Sequence, residues 1–183
     1  HDSTASLDID SIGLTNVVHG LNRGVDPGGN AIGEPTRFVI GARVNQIAVD
    51  QDREAGRLKW KVDAGVDFLI THPVFDAERL HTFLERVPDV SVPFVASLRP
   101  LTSLREAEFL HNEVPGVHIP EEIMSRMSEA EQDGEEAARA EGVNIALEVF
   151  ESIRDSIAGA HVHVPDGNID GALEILSGVN DSI

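Results

Sequence analysis

The stretch Phe68-Leu-Ile-Thr-His-Pro-Val-Phe-Asp76 decides the fold of this chain. Its first three residues form a short apolar run that Thr71 extends, which is typical of a strand buried in a parallel sheet. Asp76 is suited to cap a helix that begins directly after it. That helix would bury one face, made of Leu80, Phe83, Leu84 and Val87. The stretch therefore predicts a strand followed by a helix that packs against it.

The same order of strand and helix recurs on both sides of this stretch. We predict strands at residues 38–41, 68–71, 92–96 and 160–164. We predict helices at about 11–23, at 51–65, from Asp76, from a capping box at Ser103–Glu106, at about 133–157 and from Ile169. Residues 112–127 form an excursion that interrupts this rhythm, and the acidic stretch Ser128–Glu136 is expected to be a solvated connector.

Four units with continuous apolar strands are typical of a parallel sheet covered by helices, so the predicted fold class is α/β. The periodicity alone fits either a small open sheet or half of an eight-unit barrel. An isolated half barrel would leave two strand edges unpaired, which is a liability for a folded protein.

Composition limits the classes of partner that the chain can bind. It has 183 residues, enough for one domain over 1–183, and 32 acidic against 14 basic residues give a net charge of −18. Such a charge disfavours nucleic acid and anionic membranes as partners and suits a salt-rich environment. No apolar run approaches the length of a membrane span. The absence of cysteine excludes disulfides and thiolate catalysis, and it favours a cytoplasmic location.

Five groups of residues, in order along the chain, resemble the methylenetetrahydrofolate reductase family. The third departs at one position, because the family usually has Thr-Gln-Pro-Val-Phe-Asp there. The five groups are Gly20-Leu-Asn-Arg-Gly-Val-Asp26 with Gly33-Glu-Pro-Thr36, Leu58-Lys-Trp-Lys-Val-Asp-Ala-Gly65, Thr71-His-Pro-Val-Phe-Asp76, Pro100-Leu-Thr-Ser-Leu-Arg-Glu-Ala-Glu-Phe109 and Asn112-Glu-Val-Pro-Gly116.

The resemblance implies an eight-stranded βα barrel that binds FAD, of which this chain would supply the C-terminal half, strands five to eight with their helices. It implies reduction of 5,10-methylenetetrahydrofolate to 5-methyltetrahydrofolate, with hydride passing from NADH or NADPH through FAD to the folate. The family's general acid lies on the first strand, so we expect no catalytic residue here and an upstream half that supplies it. The alternative is a non-catalytic or partial subunit that binds flavin or folate and completes a barrel with a partner chain, either an N-terminal half or a second copy.

The resemblance assigns FAD contacts to Asn45, Glu54, Arg57 and Lys61. Glu54, Arg57 and Lys61 share one stripe of their predicted helix, so a fixed cation could face the cofactor's phosphates. A ladder of solvent-exposed ion pairs explains the same stripe without a ligand. Asn45 stands in a loop where relatives often have Asn-Pro and this chain has Asn45-Gln46, and an ordinary loop explains it equally well.

The resemblance assigns folate contacts to His72, Glu106 and Asn168. His72 replaces the family's glutamine at the end of a strand, where barrel enzymes bind their ligands, although a histidine bonded to a loop carbonyl fits as well. Glu106 is also explained by the capping box alone. Asn168 replaces an arginine, and it could simply cap the last helix. The family's Gly-Ile-Trp-Pro loop reads Ser97-Leu-Arg-Pro100, so Arg99 is a third departure in a predicted site loop.

The histidines allow one further hypothesis. His161 and His163 share a face of their strand, and His72 could approach them to form a three-histidine metal site, with Asp76 or Asp166 adding a carboxylate. No short metal-binding motif supports it, so we assign no metal ligand.

Overall fold

A computed structural model describes residues 9–167 and 169–181 of the chain. Strands and helices alternate along it, and short 3-10 turns follow α6 and β4. The elements are α1 (Ser11–Asn22), β1 (Gly41–Val44), α2 (Gln51–Asp63), β2 (Phe68–Pro73), α3 (Ala77–Arg86), β3 (Phe94–Leu98), α4 (Leu104–Glu113), α5 (Glu121–Gln132), α6 (Glu135–Ile153), β4 (Gly159–Val162) and α7 (Ile169–Asp181).

The four strands form one parallel sheet in the order β1-β2-β3-β4. In the described part of the chain, helices cover a single face of it: Leu58 of α2 packs with Val44 and Leu69, and α3, α6 and α7 pack against the alternate residues of β3 and β4. An open doubly wound sheet carries helices on both faces, whereas each sector of a βα barrel carries them on the outside only. The predicted fold class, parallel βα units forming half of a barrel, is confirmed.

The opposite face of the sheet carries Arg43, Phe68, Ile70, His72, Val95, Ser97 and His161, none of which belongs to a core cluster in the described part of the chain. Gly41 lies directly under the Phe68 ring, and any Cβ at residue 41 would collide with that ring. This face is the inner wall of the half barrel. No strand pairs with the outer edge of β1 or of β4 among the described residues.

The predicted helix starts are largely confirmed, because short polar side chains cap them. Asp76 accepts a hydrogen bond from the Arg79 N–H, and Ser103 accepts one from the Glu106 N–H. Each bond satisfies an amide that the first helical turn leaves unpaired. No described helix is long and apolar enough to cross a lipid bilayer.

The predicted strand at 38–41 is wrong by three residues, since β1 begins at Gly41. Asn22, at the end of α1, bonds both backbone groups of Phe38: its amide donates to the carbonyl and accepts the N–H, each at 2.8 Å. Phe38 therefore pairs with a side chain instead of a strand, and its ring is 55% exposed. The third strand similarly begins at Phe94 rather than Val92, after Pro93, which has no N–H to give to a ladder.

The predicted acidic connector at 128–136 is also wrong. Helix α5 runs through it to Gln132, and only Asp133 and Gly134 separate α5 from α6. Ile123 and Met127, one turn apart, are buried in a core cluster with Ala138 and Ile145 of α6. The acidic residues occupy the solvent side of a helix whose other side belongs to the core.

Candidate functional site

A cleft of about 680 Å³ opens beside β1, between α1 and α2. Five of the predicted site residues line it, and Arg43 lies among them: Asn45, Glu54, Arg57, Lys61 and His72. Glu106 does not line this cleft, and Asn168 lies outside the described residues. The structure therefore gathers all four predicted cofactor contacts and one predicted folate contact at a single place.

Lys61 is the buried cation of this cleft, with 6% of its surface exposed. Its ammonium donates to the Arg43 carbonyl at 2.6 Å and lies 3.6 Å from Glu54 Oε1, which also accepts the Asn45 N–H at 3.1 Å. Burial lowers the pKa of Lys61 below its ordinary value, and the Glu54 carboxylate opposes that shift. An exposed ladder of ion pairs, the alternative explanation of this stripe, is wrong for Lys61.

The cleft is cationic although the chain as a whole is strongly acidic. Arg43, Arg57 and Lys61 line it, and Glu54 is the one carboxylate among the described lining residues. Neither Arg43 nor Arg57 has a side-chain hydrogen bond or ion pair within the described ranges. Two guanidinium groups without partners and one buried ammonium can bind an anionic group.

Trp60 lies on the same helix, between the two lysines of the sequence, and 59% of its surface is exposed. Lys59 is exposed as well, because residues two apart on a helix point to nearly opposite sides, so Lys61 faces inward while Lys59 and Trp60 face the solvent.

His72 stands at the mouth of the cleft, at an irregular point of β2. Its backbone N–H donates to Gln46 Oε1 at 3.0 Å, and its carbonyl accepts from Gln46 Nε2 at 3.1 Å. Burial lowers the pKa of His72, the charge of Arg43 lowers it further, and the Gly116 carbonyl opposes both. The ring is therefore held mainly in its neutral form, which has one donor and one acceptor.

The loop that follows α4 covers this mouth. Gly116 has a φ of 80°, and a Cβ there would lie 2.7 Å from Asn45 Nδ2 and 3.3 Å from His72 Nδ1. A glycine is required twice over, because L side chains rarely adopt this conformation and no space remains for one. The Asn112-Glu-Val-Pro-Gly116 group thus reaches the predicted ligand residues.

Glu106 is committed to other partners. Arg99 donates to its Oε1 from Nε at 3.1 Å and from Nη2 at 2.6 Å, while the Thr102 N–H and hydroxyl donate to Oε2 at 2.8 and 2.7 Å. Both carboxylate oxygens are occupied, so Glu106 supports the β3–α4 corner. Its predicted folate contact has no free oxygen in this arrangement.

Ser97 and His163 form a further polar pair at the ends of β3 and β4. Ser97 is fully buried, its hydroxyl lies 2.6 Å from His163 Nε2, and the His161 ring contacts the His163 ring edge to face. Burial, aided by the charges of His161, Arg99 and Arg43, lowers the pKa of His163 to about 4. Within the described residues no three histidines or carboxylates come together to hold a metal ion, so the metal hypothesis has no geometric support.

The profile of the methylenetetrahydrofolate reductase family matches residues 43–173, which include the second half of β1, all of β2 to β4 and every described residue among the predicted site residues. The chain belongs to the methylenetetrahydrofolate reductase family. Methylenetetrahydrofolate reductase 2 of Saccharomyces cerevisiae is 32% identical over 127 residues, 67% of this chain and 21% of that protein. Methylenetetrahydrofolate reductase 1 of Schizosaccharomyces pombe is 25% identical over 134 residues, 69% of the chain. The chain spans about a fifth of the length of these curated relatives.

A solved structure supports the fold independently. An uncharacterised protein from Clostridium thermocellum, which binds two copies of 5-methyl-5,6,7,8-tetrahydrofolic acid, aligns with a TM-score of 0.62. The alignment covers 80% of this chain and 55% of that one at 16% identity, so the likeness is one of fold.

Reasoning from the sequence did not single out Arg43, Gln46 or Ser97, although these residues contact or neighbour the methylenetetrahydrofolate reductase positions that it did find. The available signal was departure from the family pattern: Gln46 stands where relatives have proline, and Ser97 stands where they have glycine. Each replacement adds a side chain that hydrogen-bonds a neighbouring strand end.

Proposed function

We propose that this chain forms the flavin- and folate-binding half of a methylenetetrahydrofolate reductase, which reduces 5,10-methylenetetrahydrofolate to 5-methyltetrahydrofolate with NADH or NADPH. The observation that carries the proposal is the buried Lys61–Glu54 pair at the base of a cationic cleft, on the two positions that the family uses for FAD. We further propose a cytoplasmic location, in keeping with the absence of cysteine.

The residues of the cleft fit FAD. Arg57 and Arg43 offer free guanidinium forks for phosphate oxygens, and Lys61 contributes a fixed positive charge close to them. Glu54 has a second oxygen, Oε2, with no hydrogen bond in the described part of the chain, and this oxygen suits a ribose hydroxyl. When bound, FAD supplies hydride transfer between the nicotinamide and the folate.

His72 would contact the pterin ring of the folate. Its ring lines the same cleft, and its neutral form can offer one ring nitrogen as a hydrogen-bond acceptor in place of the glutamine oxygen. Chemistry at the folate also needs a general acid, which the family carries on its first strand. We therefore propose that an upstream barrel half supplies the acid.

The alternative is a subunit that binds flavin or folate without catalysing the reaction and completes its barrel with a partner chain. The edges of β1 and β4, which pair with no strand among the described residues, fit both candidates, since either an upstream half or a partner chain could supply strands for them. The engaged carboxylate of Glu106 favours the second candidate, because one family contact to substrate is already satisfied within the protein.

A lysine pair on one helix gives a direct test of the cofactor site. Titration of the purified chain with FAD, followed by flavin fluorescence, should show saturable binding. Lys61→Met should weaken it at least about tenfold through loss of a buried charge contact. Lys59→Met, which removes an exposed ammonium two residues away, should leave it unchanged. Equal affinities in all three proteins, or no binding by the wild type, would reject the flavin site.

Two further measurements separate a folding defect from a binding defect and the two candidate functions from each other. Arg57→Gln, at a half-buried position, should also weaken FAD binding while the urea unfolding midpoint stays near that of the wild type. When the upstream half is present, the reductase proposal predicts that NADH or NADPH bleaches the bound flavin and that methylenetetrahydrofolate restores its colour. Bound flavin that neither reagent changes would favour the binding subunit.

A further inference from the structure

The backbone around His72 leaves the regular ladder of the sheet. Between β2 and β3, Ile70 pairs with Val95, but Pro73 pairs with Ser97, so β2 has one residue more than its partner over this span. Such a bulge bends a strand and changes the direction of a side chain, and bulges are frequent beside binding sites. His72 is thus placed by an irregularity of β2.

Side chains replace the ladder hydrogen bonds on both sides of this bulge. Toward β3, the Thr71 hydroxyl accepts the Ser97 N–H at 2.9 Å. Toward β1, Gln46 bonds both the N–H and the carbonyl of His72, at 3.0 and 3.1 Å. Gln46 has 2% of its surface exposed, so its amide is a fixed internal part of the sheet. A proline at residue 46, the residue that relatives often have, could make neither bond.

The His72 ring is oriented by its surroundings as well. Its Nδ1 faces Gly116 of the loop that covers the mouth, and the ring lines the cleft beside Arg43 and Asn45. Nδ1 is the ring nitrogen nearer to Gly116, whose backbone hydrogen bond raises the pKa of the ring. A neutral imidazole that keeps its proton on Nδ1 offers its Nε2 lone pair to a ligand. The charged groups that act on this ring are Arg43 from β1 and Glu54 and Lys61 from α2.

We propose that Gln46 is a positioning residue, which holds the bulge of β2 so that His72 presents an Nε2 acceptor to an N–H or O–H donor of the ligand. This inference deepens the proposed function. Only the identity of the ligand, a reduced pterin, rests on that proposed function. Gln46 and His72 act as one unit, which takes the place of the Pro and Gln that relatives have at these positions.

The first experiment needs no ligand. Nitrogen-15 NMR of histidine-labelled protein reports which ring nitrogen carries the proton, and His72→Gln identifies the His72 signals by their loss. The wild type should show a single Nδ1–H tautomer for His72. Gln46→Met, which keeps the side-chain volume but removes both bonds, should give mixed tautomers and a His72 titration closer to that of an ordinary histidine.

Two variants control for general damage to the loop. Gln51→Met removes two hydrogen bonds from the same loop, to the carbonyls of Gln46 and Ala48, without touching His72, and its His72 signals should match the wild type. Gln46→Glu keeps the acceptor for the His72 N–H and should lie between the wild type and Gln46→Met. Wild-type His72 signals in folded Gln46→Met or in Gln46→Glu would overturn the proposal.

The second experiment uses 5-methyltetrahydrofolate as the probe. Its affinity for the chain should fall roughly tenfold in Gln46→Met, which corresponds to about one hydrogen bond, and should be unchanged in Gln51→Met. If the wild type fails to bind this probe, the folate part of the proposed function is rejected, while the NMR result still decides the role of Gln46. Equal affinity in wild type and Gln46→Met would overturn the positioning role.

Discussion

Among the individual residues, Lys61 has the largest effect on the chemistry of the cleft. Its ammonium donates a hydrogen bond of 2.6 Å to the backbone carbonyl of Arg43, on the outer edge of β1. A buried cation held in this way keeps a positive charge at one fixed point, and the ordering cost is met during folding rather than on binding. The free guanidinium groups of Arg43 and Arg57 can then complete an anion site around it.

His163 makes the stability of the chain depend on pH. Its pKa falls to about 4 in the folded protein, against about 6.5 in an unfolded chain. Between these values the unfolded state binds a proton that the folded state refuses, so the free energy of unfolding decreases as pH falls from about 6.5 toward 4. We expect a loss of roughly 1–2 kcal/mol from this half-buried ring, after allowance for solvent screening.

Urea unfolding of the wild type and of His163→Gln across this pH range measures the effect. The stability of the wild type relative to the variant should fall below pH 6.5, and carboxylate titrations common to both proteins cancel in the comparison. If the free energy of unfolding changed with pH in parallel in the two proteins, the lowered pKa of His163 would be contradicted.

At the scale of single residues, the sequence predicted site residues where a residue type suits one ligand group much better than another. A lysine and a glutamate on one helical stripe, with a family resemblance, predicted FAD contacts at residues that the structure places together in one cleft, and the contacts themselves stay predictions. The sequence could not reveal that Glu106 is used up by Arg99 and Thr102, because that pairing depends on how the β3–α4 corner folds. Nor could it show that Gln46 reaches the backbone of a neighbouring strand 26 residues away.

At the scale of elements, local signals predicted where helices begin better than where strands do. Asp76 and Ser103 cap their helices as predicted, since a cap is a short-range interaction. Strand β1 starts late because Asn22, sixteen residues earlier, takes both backbone groups of Phe38. Helix α5 was missed because its sequence has as many acidic as apolar residues, four of each, although Ile123 and Met127 suffice to anchor it.

Gly142 of α6 should be intolerant of any side chain. A Cβ there would collide with the backbone of Leu101, which cannot move away as a flexible side chain could. Gly142→Ala should therefore reduce the free energy of unfolding by about 1–3 kcal/mol, despite the better helix propensity of alanine. Gly56→Ala in α2, where the added Cβ meets open space, should instead stabilise the protein by up to about 1 kcal/mol.

Urea unfolding midpoints of these two variants test the close contact between α6 and the β3–α4 corner. A stabilised Gly142→Ala protein would show that α6 lies farther from Leu101 than in this structure.

At the scale of the whole molecule, the alternation of strands and helices predicted a parallel sheet but not its curvature. What distinguishes half a barrel from an open sheet is that the described core clusters place helices on one face of the sheet only. The two faces of the sheet differ in what they carry. The outer face packs into the core, whereas the inner face and the strand ends carry Arg43, His72, Ser97 and His163. The numbering of these strands as five to eight, and the single domain over 1–183, stay predictions.

The net charge of −18 should make the stability of the chain strongly dependent on salt. Screening shortens the reach of charge repulsion from about 10 Å at 0.1 M to about 3 Å at 1 M ionic strength. We expect the thermal midpoint to rise when KCl is raised between these concentrations. The double variant Glu108→Gln with Glu129→Gln, at two exposed positions, should start from a higher midpoint and respond less. An unchanged midpoint in both proteins would show that self-repulsion is already negligible.

Trp60, exposed on the helix that carries Lys61, makes the protein its own optical probe. The sequence has one tryptophan and no tyrosine, so near-ultraviolet emission arises from a single indole at a known place. That indole absorbs in a region free of other strong chromophores in the chain and emits where oxidised flavin absorbs. Occupation of the neighbouring cleft should therefore quench its emission by resonance energy transfer, and a label-free titration could follow binding at micromolar protein concentrations.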